Sequence, residues 1–344
     1  MTEKPEQQHP LTQAPHESEG QRERAARRAR RLAAKQADVM PAVAPVNGPR
    51  STRVVEAELV SPSPDGGLLG VIQQPYLLRL LVRREIAKMY SASLLGLLWS
   101  YIQPAIRFSV YYLIFGVLLG VHKDVPNFAI HLFVGIVFVH YFSETFGGGT
   151  RSIWQNRTLV KKMRLPREIF PVSQMVVGLY HTFPQVVLLT IFCVASGFST
   201  DPIGIVSGLL GFTILLTFSG ALALLFSAVN VYYRDFQNVV GTITQFMHFL
   251  VPMMYPITRV MKYSDSHPIL YQIYLANPVA DAVILLQRFF WSGVNKANGE
   301  ETGSTAYPPH MLERGLITLG VCLVLLWLCQ KVFSRLESKF PERL

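Results

Sequence analysis

Residues 203–229, IGIVSGLLGFTILLTFSGALALLFSAV, carry no charged side chain, and this run limits the folds open to the chain more than any other feature. A segment of that length and apolarity crosses a bilayer as a helix, because backbone polar groups in hydrocarbon must be satisfied within the segment itself. The rest of the sequence agrees. Half of the 344 residues are hydrophobic and 16% are charged, against about 25% in soluble domains. The expected fold class is an all-α integral membrane protein. Hydropathy gives six transmembrane helices per protomer, at about 104–121, 128–146, 170–198, 203–229, 238–257 and 315–333.

Orientation follows from the basic residues of the short loops. Arg151, Arg157, Lys161, Lys162, Arg164 and Arg167 separate the second and third spans, and Lys331, Arg335, Lys339 and Arg343 follow the sixth. The HKDVPN and STDP connections on the other side carry one lysine between them. Both termini are therefore expected in the cytoplasm, which an even number of spans satisfies. Residues 1–66, rich in Pro, Gln, Ala and Ser, read as a disordered basic cytoplasmic tail without a signal-peptide core. Its 22–35 run, RERAARRARRLAAK, lacks the interleaved aromatics of a nucleic-acid site and fits a solvated tail attracted to anionic membrane lipids. Residues 334–344 form a second cytoplasmic tail.

Two stretches are not simple spans. In YLLRLLVRREIAKMYS (76–91), Leu78, Leu81, Val82, Ile86 and Met89 share one helical stripe, with Arg79, Arg83, Arg84 and Lys88 off it. That is an N-terminal interfacial amphipathic helix, part of a 67–103 segment ending in an elbow before the 104–333 transmembrane domain. At the elbow, Gly96 is expected to permit close packing, Trp99 and Tyr101 to lie at headgroup level, and Pro104 to occupy the first turn of the span. Arg107 then stands one turn in, reaching the cytoplasmic surface or facing a pore mouth. In 268–293, two apolar runs of about ten residues flank Asn277-Pro278. A re-entrant helical hairpin on the outer side, between spans 5 and 6, is favoured over one kinked span, which would carry the basic C-terminus outside.

The chemistry is as much in what is missing. There is no GxxxxGK[ST], HExxH, GxSxG or CxxC, and no acidic cluster spaced for a metal. The chain is thus expected to be no enzyme and to bind no cofactor or metal itself. Cys193, Cys322 and Cys329 lie in apolar runs as small buried hydrophobes. His131, His140, His181 and His248 fall in or near spans, where an interfacial hydrogen-bonded role weighs against a functional one. Glu144 is the one carboxylate close to a helix interior, too little acid for proton-coupled transport. Tyr112 and Phe138 lie near mid-span, away from interfacial belts, where rings could stack on a sugar in a wide pore.

RREIAKMYSASLLGLLWSYIQP (83–104) resembles the N-terminal signature of ABC-2 type permeases that export polysaccharides, through Arg84, Glu85, Tyr90, Ser93, Leu95, Gly96, Trp99 and Pro104. Met89 stands where that family commonly has a basic residue. NRTLVKKMRLPREIFP (156–171), NVYYRDFQN (230–238) and LANPVADAV (275–283) resemble its two cytoplasmic loops and its outer re-entrant segment, in order.

The resemblance, over about 70–340, implies a homodimer in the bacterial cytoplasmic membrane, paired with two copies of a cytoplasmic ATP-binding cassette ATPase that would hold ATP and Mg. It implies a pore between protomers lined by the first, second and fifth helices, for which Phe108, Tyr112, Phe115, Phe138, Tyr141 and Phe142 are the aromatic candidates. Arg79, Arg83, Arg84, Lys88, Tyr90, Trp99 and Arg107 would meet the pyrophosphate of a polyprenyl-linked glycan, such as O-antigen, teichoic acid or a cell-wall galactan precursor. Leu159, Lys161, Lys162, Arg164, Arg234 and Asp235 would couple to the ATPase, and Asn277 and Pro278 would form an outer gate. A drug or lipid permease of the same type, and a polyprenyl-dependent glycosyltransferase, are the competing readings. The second lacks paired carboxylates.

Overall fold

The computed structural model describes residues 67–91, 96–163, 165–199, 201–299 and 307–344. The expected tail 1–66, the 92–95 part of the elbow and Arg164 lie outside the described residues. Every described element is helical: α1 Gly67–Ile72, α2 Pro75–Tyr90, α3 Trp99–Tyr111, α4 Val121–Asp124, α5 Phe128–Gln155, α6 Arg157–Lys162 and α7 Ile169–Ala195. They continue as α8 Pro202–Tyr232, α9 Phe236–Leu250, α10 Ile257–Met261, α11 Pro268–Leu275, α12 Pro278–Ala297, α13 Met311–Glu337 and α14 Phe340–Arg343. Five helices are long and apolar enough to cross a membrane: Trp99–Leu118, α5, α7, α8 and α13. A sixth is reached if α11 and α12, bent by 76° at Ala276-Asn277, are taken together.

α5 is the centre of the bundle. Its residues 130–139 are buried without a break. α7, α8, α9 and α12 all pack on it. Lipid tails are as apolar as leucine, so spans associate through close backbone approach rather than hydrophobic expulsion. Two glycines supply that approach here. A Cβ on Gly149 would stand 2.5 Å from Ala223 Cβ on α8, and one on Gly135 would stand 2.1 Å from Met253 Cβ.

The two ends of the bundle differ in kind. One gathers the basic segments: Val71, Leu81, Ile153, Val160, Ile169, Phe170, Ala228, Val231, Phe333 and Phe340 form a single cluster beneath them. Tyr232 donates to Leu336 O at 2.9 Å and Gln330 to Glu168 Oε1 at 2.8 Å, pinning the end of α13 to α8 and α7. The opposite end is tied by Trp291 Nε1 to Pro126 O at 2.7 Å and by Asn127 to Asn295 at 2.8 Å. There Asp201 caps α8 by accepting from Gly204 N–H at 2.9 Å, with Pro202 at the first helical position, and pairs with Arg288 at 2.9 Å.

Four local expectations change. The first span begins at Trp99, so Pro104 is buried inside the helix rather than in its first turn. Its ring removes a bond to the Ser100 carbonyl, which Gln185 Nε2 approaches at 3.5 Å, the outer limit of a hydrogen bond. Among the described residues nothing lies within 4 Å of a notional Cβ on Gly96, and its φ of +49° is the reason for glycine there. The fifth span is not one helix. α9 stops at Leu250, about 22 Å long, and the chain continues as the non-helical 251–256, with Val251, Met253 and Met254 buried against the bundle. The 268–293 region is not two equal runs either, since α11 has 8 residues and α12 has 20.

Gly149→Ala should lower bundle stability by about 1–3 kcal/mol, because two packed backbones must separate to admit the methyl group. Thermal unfolding of the chain in mild detergent checks this. Gly147→Ala, where among the described residues nothing stands within 4 Å of the added methyl group, is the neutral control.

Candidate functional site

On α5, His140, Ser143 and Glu144 follow each other at the i, i+3, i+4 spacing that puts them on one face. α3 turns Arg107 and Tyr111 towards that face, and α9 adds Thr244, Gln245, His248 and Phe249. Together they line a cleft of about 640 Å³. At roughly 1.5 Å per residue, Glu144 lies about 16 Å from the Gln155 end of α5, and His181 and His248 about 18 Å from Ile169 and Phe236. Those three ends all belong to the basic side, so Glu144 and His181 sit in mid-helix, whereas His248 lies in the last turn of α9, at its far end.

The cluster is connected. His248 Nδ1 lies 2.9 Å from Thr244 O, so it carries the proton and leaves Nε2 to accept from Arg107 Nη1 at 3.3 Å. His140 Nε2 is 3.6 Å from Glu144 Oε2, while Glu144 Oε1 pairs with His181 Nδ1. Behind His181, the ring of Tyr90 stands edge-on with centroids 6.0 Å apart, and Tyr90 shares a hydrogen bond of 2.7 Å with Ser100 Oγ. The end of the amphipathic helix thus touches the intramembrane cluster through one ring.

The aromatic candidates divide. Phe108 and Tyr112 stack on each other, Tyr112 also stacks on Phe128 and Phe108 meets Phe133 edge-on, and both line a separate apolar pocket between α3, α5 and α7. Phe115 is half-buried beside Tyr111. Phe138, Tyr141 and Phe142 are enclosed by the protomer's own helices, Phe138 against Phe290 and Phe142 against Phe218. A pore running between protomers would therefore not meet these three in this conformation. The aromatic rings that do face the polar cleft are Tyr111 and Phe249, which the mid-span criterion passed over.

At the basic end, Arg79, Arg83, Arg84 and Lys88 are all exposed along α2, and Trp99 is exposed at the start of α3. Arg84 donates to Asn156 Oδ1 at 3.1 Å, tying α2 to the turn between α5 and α6. Trp154 lies beneath Arg157 at 4.9 Å and Arg234 at 3.7 Å, joining the 156–163 loop to the 233–235 turn. Leu159 is half-buried in the basic-end core, whereas Lys161, Lys162 and Asp235 point outward. Asn277 and Pro278 are the cap and first residue of α12, Asn277 Oδ1 accepting from Val279 N–H at 3.0 Å. Trp154 and Asn156 were missed from sequence, where neither is charged nor part of a periodic pattern.

The family described as ABC-2 type transporter matches residues 76–289, from the amphipathic helix to the middle of α12. This chain belongs to that family. It is also similar to the O-antigen export system permease protein RfbA of Myxococcus xanthus, at 29% identity over 76% of this chain and 93% of the relative. A protein of the same description from Klebsiella pneumoniae is 25% identical over 77% of this chain and 94% of its own length.

Trp154→Ala should remove both cation–π contacts, each of about 0.5–1 kcal/mol at an exposed site. Amide exchange across 156–163 should then speed by about threefold or more, as hydrogen-exchange mass spectrometry would show, while Trp154→Phe retains part of the protection.

Proposed function

We propose that this chain is the permease subunit of an ATP-driven exporter that moves a polyprenyl-pyrophosphate-linked polysaccharide across the bacterial cytoplasmic membrane. It works as a homodimer with two copies of a cytoplasmic ATP-binding cassette ATPase. The relatives' description supports the polysaccharide class, and the sequence's lack of a P-loop supports a separate ATPase chain.

The observation that carries the reading is the joint at the basic end. α2 presents Arg79, Arg83, Arg84 and Lys88 outward and is tied by Arg84 to Asn156, beside Trp154, which in turn holds Arg234. A helix that receives a phosphate-bearing lipid and two loops that would dock on an ATPase are thereby mechanically one piece. Short polar elements rigidly attached to spans convert closure of an ATPase dimer into motion of those spans. Lys161, Lys162 and Asp235 are the outward contacts of this assembly.

The topology we infer has six crossings with both termini cytoplasmic. α3 with its continuation to Leu118, α5, α7, α8 and α13 make five, and α9 with the buried 251–256 segment makes the sixth. α11 and α12 form an outer re-entrant unit. In support, the far end of α12 bonds to the Pro126–Asn127 and Ser199 connections, while Asn277 at its near end lies against Met247 of α9 at 3.7 Å.

Co-purification in mild detergent tests the assembly, and a P-loop ATPase should follow the chain. Depletion of the chain should leave lipid-linked glycan on the cytoplasmic side; unchanged glycan with retention of a drug or lipid would favour the rival permease class. Arg84→Glu or Arg234→Glu should reduce export at least tenfold while membrane insertion, measured by protease protection, is unchanged.

A further inference from the structure

Asp281 is the buried acid of the α11–α12 unit, 5% exposed where α12 packs on α13. On α13, Arg314 and Thr318 face its carboxyl group, with Cys322 one further turn on. α8 meets this part of α12 and α13 with Gly211 and Leu210, which bring no polar side chain. Among the described residues, Asp281 Oδ2 has no hydrogen-bond partner. Arg314 stands within electrostatic reach of that carboxyl, yet its Nη2 donates to Gln272 Oε1 of α11 at 3.0 Å. By charge and by its parallel N–H groups, a guanidinium prefers a carboxylate to a neutral amide. A buried carboxylate left unpaired is costly, whereas a protonated carboxyl group needs no cation. The arrangement is therefore that of a neutral Asp281.

What Arg314 holds is the lighter half of the unit. α12 is pressed on α8, where a Cβ on Gly211 would stand 2.6 Å from Ala282 O. α11 has eight residues, leaves Ile269, Leu270 and Ile273 exposed, and anchors through Tyr271 and Leu275 in a small cluster with Ile257 and Ile284. Its polar ties include Gln272 to Arg314 and Tyr274 to Tyr255 at 3.2 Å. We propose that Asp281 and Arg314 form a proton-operated latch on α11. With Asp281 neutral, Arg314 holds Gln272 and α11 stays docked. When the carboxyl group gives its proton to outer water, Arg314 turns from Gln272 to the carboxylate. α11 is then free to swing about the 76° bend that separates it from α12. Higher pH thus favours the released unit and lower pH the docked one. The proposal rests on the outer placement of α11 and α12 only for which compartment's pH is sensed.

The other titratable groups around α11 are Tyr271 beside Arg314, the Tyr255–Tyr274 pair, exposed His267 ahead of α11, and His310, which lies 3.1 Å from Glu313 ahead of Arg314. The two histidines titrate in the range that matters, so a control replaces both. Hydrogen-exchange mass spectrometry of the full chain in nanodiscs, at about pH 5 and about pH 8 and corrected for intrinsic exchange, reads the latch. Protection of 268–276 should fall about fivefold or more at the higher pH, while that of α12 is unchanged. The fall should persist when His267 and His310 are both changed to Gln. Asp281→Asn should keep α11 protected at both pH values, and Arg314→Met should leave it weakly protected at both. If Asp281→Asn does not fold, Arg314→Met and Gln272→Ala carry the comparison, each expected to abolish the pH dependence.

Protection of α11 that does not change with pH would overturn the proposal. So would a pH dependence that survives Asp281→Asn or Arg314→Met, or one that disappears with the two histidines. A chain that co-purifies with its ATPase yet shows flat protection of α11 loses the latch and keeps the exporter reading. A chain whose α11 is released as expected but which recruits no ATPase does the reverse.

Discussion

The interaction on which the rest of the molecule depends is the close crossing of α5 and α8, where Gly149 lets Ala223 approach so near that a methyl group would not fit. Membrane helices gain nothing from burying leucine against leucine rather than lipid, so backbone proximity and side-chain hydrogen bonds must hold them. α5 takes this furthest. With α7, α8 and α12 on it, its remaining face is left to α3 and α9. Polar groups on α5 then find partners on the helices packed against it: Asn230 of α8 donates to Thr150 O at 3.1 Å beside the crossing, and Glu144 pairs with His181 of α7.

The consequence is a bundle with a stiff core and a lightly held flank. α5 is joined to α7 by the Glu144–His181 pair and to α8 by tight packing. α3 is joined to α9 by the Arg107–His248 hydrogen bond, and much of its surface is exposed. Its last turn is π-helical, Tyr112–Leu118, closing on Leu119 N–H to Ile114 O at 2.9 Å before the left-handed Gly120. A widened turn of this kind rotates the side chains that follow it relative to those before. That rotation is one reason why spacing counted from Arg107 does not carry through to the outer end of the span.

Much of this was legible in the sequence. The uncharged run of α8, the loop arginines and the amphipathic stripe of α2 gave the helical class, the clustering of basic segments at one end and the family signature. Hydropathy reads composition over a window, and so it could not see that α9 stops at Leu250 and gives way to the non-helical, largely buried 251–256. Nor could it see that α12 is long enough to pack along α8 while α11 is not. The site was harder. Mid-span position selected Tyr112 and Phe138, but the direction a ring points depends on helix phase, and Phe138 points into the protomer while Tyr111 faces the cleft. The i, i+4 pairs His140/Glu144 and Arg107/Tyr111 were present in the sequence. Their meaning appears only when α3, α5 and α9 are brought side by side.

The same geometry accounts for the odd composition of the elbow. Tyr90 closes α2 against His181, and Ser100 opens α3 with a hydroxyl bonded to Tyr90 and a carbonyl released by Pro104 towards Gln185. Residues that lipid would reject therefore face one another across the start of the span. Proline inside the helix loosens the second turn, and the polar contacts of Tyr90, Ser100 and Gln185 hold it in place. The amphipathic helix is consequently not an appendage resting on the membrane. It is fixed along its second half to the turn between α5 and α6 through Arg84 and Asn156, and at its end to the intramembrane cluster through Tyr90. A displacement of α2 must then strain both contacts at once, which physically couples this helix to the polar cleft between α3, α5 and α9.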